Sequence, residues 1–146
     1  LKNLIKTLTT ASFLAITGMF LVAGPLLSTP AQAQSDGIVF ELRTYKSTPG
    51  NLENLLNRFR NHTMALFEKH GMVNIGYWIP TDPAESGDTL IYVLKHESQE
   101  AATASWRAFA TDPEWARVNE ESNRNGNILQ GVERTFMSAT DFSQIK

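Results

Sequence analysis

Residues 40–45 read Phe40-Glu41-Leu42-Arg43-Thr44-Tyr45 (FELRTY), an alternation with the two-residue period of a β-strand. One face carries Phe40, Leu42 and Thr44, the other an acid, a base and a phenol. If the charged face meets water, this is a surface strand; if it is covered, Glu41, Arg43 and Tyr45 share an enclosed space. The rest of the chain decides between the two.

Working outward, residues 38–45 form strand one, and Ser47-Thr48-Pro49-Gly50 follows, with Thr48 placed as an N-cap and Pro49 as the first helical residue. Positions 52, 55, 56, 59, 63, 66, 67 and 70 then fall on one face of a helix about 22 residues long. Gly71 suits its C-terminal turn. Two β-branched and aromatic runs, 72–79 and 89–96, make a hairpin across the turn-rich segment 80–88, which is a hairpin tip or a lid. Ser98 caps the next helix, Asp112 and Pro113 begin another, and residues 128–137 give the last strand. The order βαββαβ is a ferredoxin-like α+β sandwich, and right-handed crossovers give the antiparallel sheet the order 4-1-3-2.

Residues 1–33 stand apart from this pattern. Lys2 and Lys6 precede an apolar run from Ala11 to Leu27, then Ala31 and Ala33, which is the three-part arrangement of a cleaved signal peptide. Gly24-Pro25 interrupts a run shorter than the roughly 20 residues of a membrane span, so no span is expected after cleavage. A periplasmic or secreted protein is implied, with 34–37 as a linker and 38–146 as one domain. Setting 33 residues aside from 146 leaves 113, enough for a core of its own. Two lysines and no acids leave with the signal, so 13 basic and 15 acidic residues become 11 and 15, a formal charge of −4. That balance, without a basic stripe, argues against nucleic acid as a partner. The absence of cysteine excludes disulfides and thiolate metal sites.

With all helices on one face of the sheet, the other face of a water-exposed monomer should be polar. Placing Phe40, Leu42, Val73, Ile75, Ile91, Val93, Val132 and Phe136 toward the helices leaves Val39, Met72, Trp78, Leu90, Tyr92, Leu94, Leu129 and Met137 opposite, which is not polar. A second copy of the chain is the economical cover, giving a homodimeric α/β barrel. On this parity Glu41, Arg43, Tyr45, Asn74, Trp78, Tyr92, His96 and Glu133 point between two facing sheets. Glu41, Arg43 and Glu133 are then expected to form a structural network, because buried charge persists only when paired.

Four blocks, VFELRTYKSTPG, EKHGMVNIGYW, AFATDPEWARV and VERTFMSATDFS, together resemble the NIPSNAP family over residues 39–143. The resemblance implies a ferredoxin-like subunit pairing into a dimeric barrel. It implies no agreed reaction. The wider barrel superfamily includes cofactor-independent monooxygenases, isomerases and haem proteins, with ligands held beside or within the barrel.

The three histidines lack metal-ligand spacing, and no metal or other cofactor is expected. His70 is placed to meet helix-terminal carbonyls; haem ligation by His96 or His70 is the alternative. Glu41 and His96 are the candidate acid–base pair. Glu41, Arg43, Tyr45, Trp78, Tyr92 and His96 are the candidate lining of a site for a small apolar or aromatic molecule. The competing expectations are a cofactor-independent oxygenation or isomerisation at that site, and a non-catalytic interaction module.

Overall fold

The computed structural model describes residues 37–146, so the signal-peptide reading and most of the 34–37 linker lie outside the described residues. Four antiparallel strands, β1 (Val39–Ser47), β2 (Val73–Trp78), β3 (Thr89–His96) and β4 (Leu129–Met137), form one sheet in the order β2-β3-β1-β4. This is the 4-1-3-2 order of the sequence reading, seen from the other edge. FELRTY therefore occupies a central strand. β3 pairs with it through Glu41–Leu94, Arg43–Tyr92 and Tyr45–Leu90, and β4 through Glu41–Phe136, Arg43–Arg134 and Tyr45–Val132.

The first helix starts later than expected. α1 (Leu52–Arg58) is preceded by Asn51 without a side-chain cap, while Thr48 donates to the Asn127 carbonyl and Gly50 takes φ +76°. Ser47–Gly50 is thus part of a turn, because Gly50 adopts a left-handed conformation that a helix interior does not use. The helix continues from α1 through a π-helical segment, Phe59–Thr63, into α2 (Met64–Lys69), since Phe59 and Met64 keep right-handed helical angles. Thr63 Oγ1 donates to the Arg58 carbonyl at 3.3 Å, across the widened turn.

The later caps form where the sequence places them. Ser98 Oγ accepts from the Ala101 amide at the start of α3 (Gln99–Ala110), and the Asp112 carboxylate accepts from the Glu114 amide at the start of α4 (Pro113–Ser122). The helical stripe Leu55, Phe59, Leu66 and Phe67 packs on Tyr45, Leu90, Tyr92 and Leu94 of the sheet. Phe59 meets Tyr45 at 5.7 Å and Tyr92 at 5.2 Å in edge-on contacts that favour the ring quadrupoles. The 80–88 segment is tied to β1 by the Ser47 amide donating to the Asp88 carbonyl and by Lys46 meeting Asp88 and Glu85. Among the described residues no helix is long and apolar enough to cross a membrane.

Candidate functional site

The charged face of FELRTY is covered, but by the chain's own helices. Glu41 is completely buried and its carboxylate accepts three hydrogen bonds: from Arg43 Nη1 at 2.7 Å, His96 Nε2 at 3.0 Å and Trp106 Nε1 at 2.6 Å. Strand β1 supplies Glu41 and Arg43, β3 brings His96 diagonally alongside, and α3 lowers Trp106 onto the pair. The Arg43 guanidinium sits 4.2 Å from the Trp106 ring centre and donates to the Tyr45 hydroxyl at 3.4 Å. Burial pushes the Glu41 carboxyl up, yet the donors His96, Trp106 and Arg43 outweigh it and hold the group below its ordinary value. Burial works against the Arg43 charge as well, but Tyr45, Tyr92 and Glu41 hold it above its ordinary value.

This overturns the side assigned to five of the six candidate residues. Glu41, Arg43, Tyr45, Tyr92 and His96 face the helices, whereas Phe40, Leu42, Ile91 and Val93 face away. The sequence reading had the two sets exchanged. The physical reason is that Tyr45, Tyr92, Leu90 and Leu94 bring large apolar surfaces to the helical stripe, while Trp106 and His96 supply the hydrogen bonds that make burial of Glu41 tolerable. Glu133 is absent from the network: it pairs with Thr44, whose side faces away from the helices. Asn74 likewise turns to the helices, donating to the Met64 carbonyl and to Glu68.

Trp78 alone lies on the open face. A register irregularity between Asn74 and Gly76 resets the alternation of β2, so that Trp78 pairs with Ile91 and Gly76 with Val93. The indole folds back over Gly76, where an added Cβ would stand 2.5 Å from the ring. Trp106 carries the opposite lesson. Trp106 was not among the candidate residues, although a buried indole N–H needs an acceptor, and that need is the signal that could have found it.

His96 and His70, the two histidines named for haem ligation, both meet carboxylates. Each has Nε2 engaged by a carboxylate, Glu41 at 3.0 Å and Asp112 at 2.7 Å, and the His96 side chain is almost wholly buried. His70 is the C-cap of α2, where its backbone N–H meets the terminal carbonyls, but its ring turns to Asp112 instead of to those carbonyls as the sequence suggested. Asp112 also meets Lys69 Nζ at 2.8 Å. Lys69, His70 and the Glu114 amide hold the Asp112 carboxyl far below the usual carboxylate range. A carboxyl depressed in the folded state adds stability above its unfolded pKa, about 4, and that stability is lost as pH falls through the folded value. The urea midpoint is therefore expected to drop on acidification below about pH 4. Asp112→Asn keeps a good capping residue, lowers the midpoint at pH 7 and makes the acid limb shallower. An unchanged acid limb would count against this account.

The open face carries an apolar cavity of about 320 Å³, lined by Phe40, Ile75, Trp78, Val93 and Met137 and by residues of the C-terminal segment after β4. That segment folds over one end of the sheet, with Lys95 Nζ donating to the Lys146 carbonyl at 2.7 Å. The sequence reading had no element spare for this cover. It leaves Leu42, Ile91 and Val93 half-buried, and Val73 and Trp78 about half exposed.

The NIPSNAP family model matches residues 40–144. Among solved structures, a NIPSNAP family protein of unknown function from Agrobacterium tumefaciens str. C58 superposes with a TM-score of 0.65 at 16% identity, covering 77% of this chain and 96% of that one. Another NIPSNAP family protein from the same strain gives 0.65 at 19% identity, covering 75% and 99%. An uncharacterized NIPSNAP-like domain protein from Burkholderia xenovorans gives 0.64 at 16%, covering 74% and 90%. At these identities the likeness is one of fold. The comparison with curated proteins gives no match.

Proposed function

The chain belongs to the NIPSNAP family, and from that premise we propose that it is an exported homodimeric barrel protein that binds a small apolar or aromatic molecule on the open face of its sheet. The observation that carries this reading is the apolar cavity of about 320 Å³ beside Trp78. Its size falls in the range of small-molecule sites, roughly 300–1,000 Å³, and its walls are largely apolar. A half-exposed indole offers a flat stacking surface at its edge. Two copies meeting through their open faces would enclose the cavity between the sheets and withdraw Leu42, Ile91 and Val93 from water.

Binding is favoured over oxygenation or isomerisation because the Glu41–His96 pair has no open approach: both side chains are essentially inaccessible. Their hydrogen bonds join β1, β3 and α3, which is a structural duty. A purely interacting surface would not need the cavity.

Gly76→Ala tests the site without touching the core. The three atoms nearest the new Cβ all belong to the Trp78 indole, which is expected to swing aside, so the fold is expected to change by less than about 1 kcal/mol. Affinity for the apolar probe N-phenyl-1-naphthylamine, read by fluorescence, should fall about tenfold, the cost of a lost aromatic contact. Unchanged affinity would remove Trp78 from the site. Export is supported by the three-part N-terminal sequence, and N-terminal sequencing of protein from its own source should begin at Gln34. A chain still carrying residues 1–33 would contradict it.

A further inference from the structure

Arg58, the last residue of α1, is 5% exposed and forms no ion pair among the described residues. Among the described residues its side chain makes one hydrogen bond, Nη1 to Ser122 Oγ, long at 3.3 Å, and its buried Nε, like that of Arg43, has no partner. The ring of Trp115 lies 5.2 Å from the guanidinium and supplies a cation–π contact but no anionic acceptor. Arg43, the other arginine held by the core, shows the ordinary solution, a carboxylate at 2.7 Å. A buried guanidinium without such a partner forgoes hydration and gains little in return.

What lies beside Arg58 is a cavity of about 300 Å³ in the helix layer, away from the open face of the sheet. It is bounded by α1, the π-helical segment, α4 and the loop before β4. Its walls are polar: Asn57, Asn61, His62, Ser122 and Asn125 line it together with Arg58. The Asn57 oxygen is engaged by Arg60, which leaves its NH₂ group as a donor. The one acid on the wall, Glu121, is held by Arg117 Nη1 at 2.9 Å, and both of those side chains are more than half exposed. The π-helical segment, a departure from the α-helical ladder that recurs at functional sites, begins at the residue after Arg58.

From these observations we infer that this cavity binds the oxyanion group of a small molecule, a carboxylate or a phosphate, with Arg58 as its charge partner and the amides of Asn57, Asn61 and Asn125 as surrounding donors. A planar guanidinium matches either group with two parallel N–H···O bonds, and an incoming oxyanion would give the Arg58 charge the anionic partner that no acid among the described residues provides. Burial pushes the Arg58 guanidinium below its ordinary value, with Tyr45 and Tyr92 pulling only partly the other way, which agrees with a cation waiting for an anion. The site shares no residue with the open-face cavity, so each stands or falls alone.

The test uses the full chain with ¹⁵N-labelled arginine. Sodium phosphate and sodium acetate are titrated separately at constant ionic strength set by sodium chloride. The Arg58 Nε–H resonance is expected to shift saturably with one of the two anions, and the arm with the higher affinity identifies the group. Arg58→Gln, compared with the wild type by isothermal titration calorimetry with the same anion, is expected to lower that affinity at least about tenfold. Should that variant not fold, Asn61→Leu on the exposed wall should lower it at least about tenfold, the worth of a hydrogen bond to a charged group. A resonance that responds to neither anion overturns the assignment, as does wild-type affinity in the variant that folds.

Discussion

Glu41→Ala is expected to destabilise the fold by about 3–5 kcal/mol, the cost of removing one partner from a buried ionic network. The loss has three parts. Arg43, only 12% exposed at its side chain, is left with a buried charge, the long Tyr45 hydrogen bond and the face of Trp106, but no anion. His96 loses the acceptor for Nε2, and its Nδ1 already lacks a partner. Trp106 loses the acceptor for its indole N–H, which frees the contact between α3 and the sheet. Urea unfolding at pH 7 measures the change, with an unaltered slope showing that the loss is one of stability. Adding Arg43→Met should recover part of it, because an apolar side chain of similar length removes the orphaned charge. A loss below about 1 kcal/mol for Glu41→Ala would mean that water replaces the carboxylate without penalty and that the network is not what binds β1 to α3.

The second large effect falls on association. Val93→Arg places a cation on β3 between Leu42 and Gly76, in the middle of the open face. Lys95 lies two residues along on the same side, so the new charge gains a repulsive neighbour there, while Glu133 of the same face stands two strands away on β4. In the monomer the side chain reaches water from a half-buried position, and melting is expected to change by less than about 1 kcal/mol. In a dimer joined through this face the charge would be buried in each copy, costing about 3–5 kcal/mol per unpaired charge and weakening association at least about a hundredfold. Sedimentation equilibrium at about 10 μM should give a dimer for the wild type and a monomer for Val93→Arg. A wild-type monomer would sink the barrel, and a dimeric variant would place the interface elsewhere.

Much of the fold was legible because it rests on local chemistry. The period of 3.6 over Leu55, Phe59, Leu66 and Phe67 marked a helical stripe, Ser98 and Asp112 marked helix starts, and the element order with right-handed crossovers gave the sheet order. The turn at Ser47–Gly50 was misread for a related reason. Thr48 and Pro49 suit an N-cap and a first helical position, and only the tie from Thr48 to the Asn127 carbonyl, 79 residues away, spends that hydroxyl elsewhere.

The candidate site divides along the same line. Alternation in FELRTY determined that Glu41, Arg43 and Tyr45 share a face, and apolar neighbours on both sides determined that neither face is simply wet. Which face receives the helices was decided only in three dimensions. That choice compares the apolar area each face offers to the helical stripe and the donors available to Glu41, and those donors come from His96 and Trp106, 55 and 65 residues along the chain. The same holds for Trp78, moved to the open face by an irregularity in β2, and for Arg58, whose want of an acid appears only once every neighbour is in place. A two-residue period fixes what lies together; long-range packing and the satisfaction of buried charge fix what covers it.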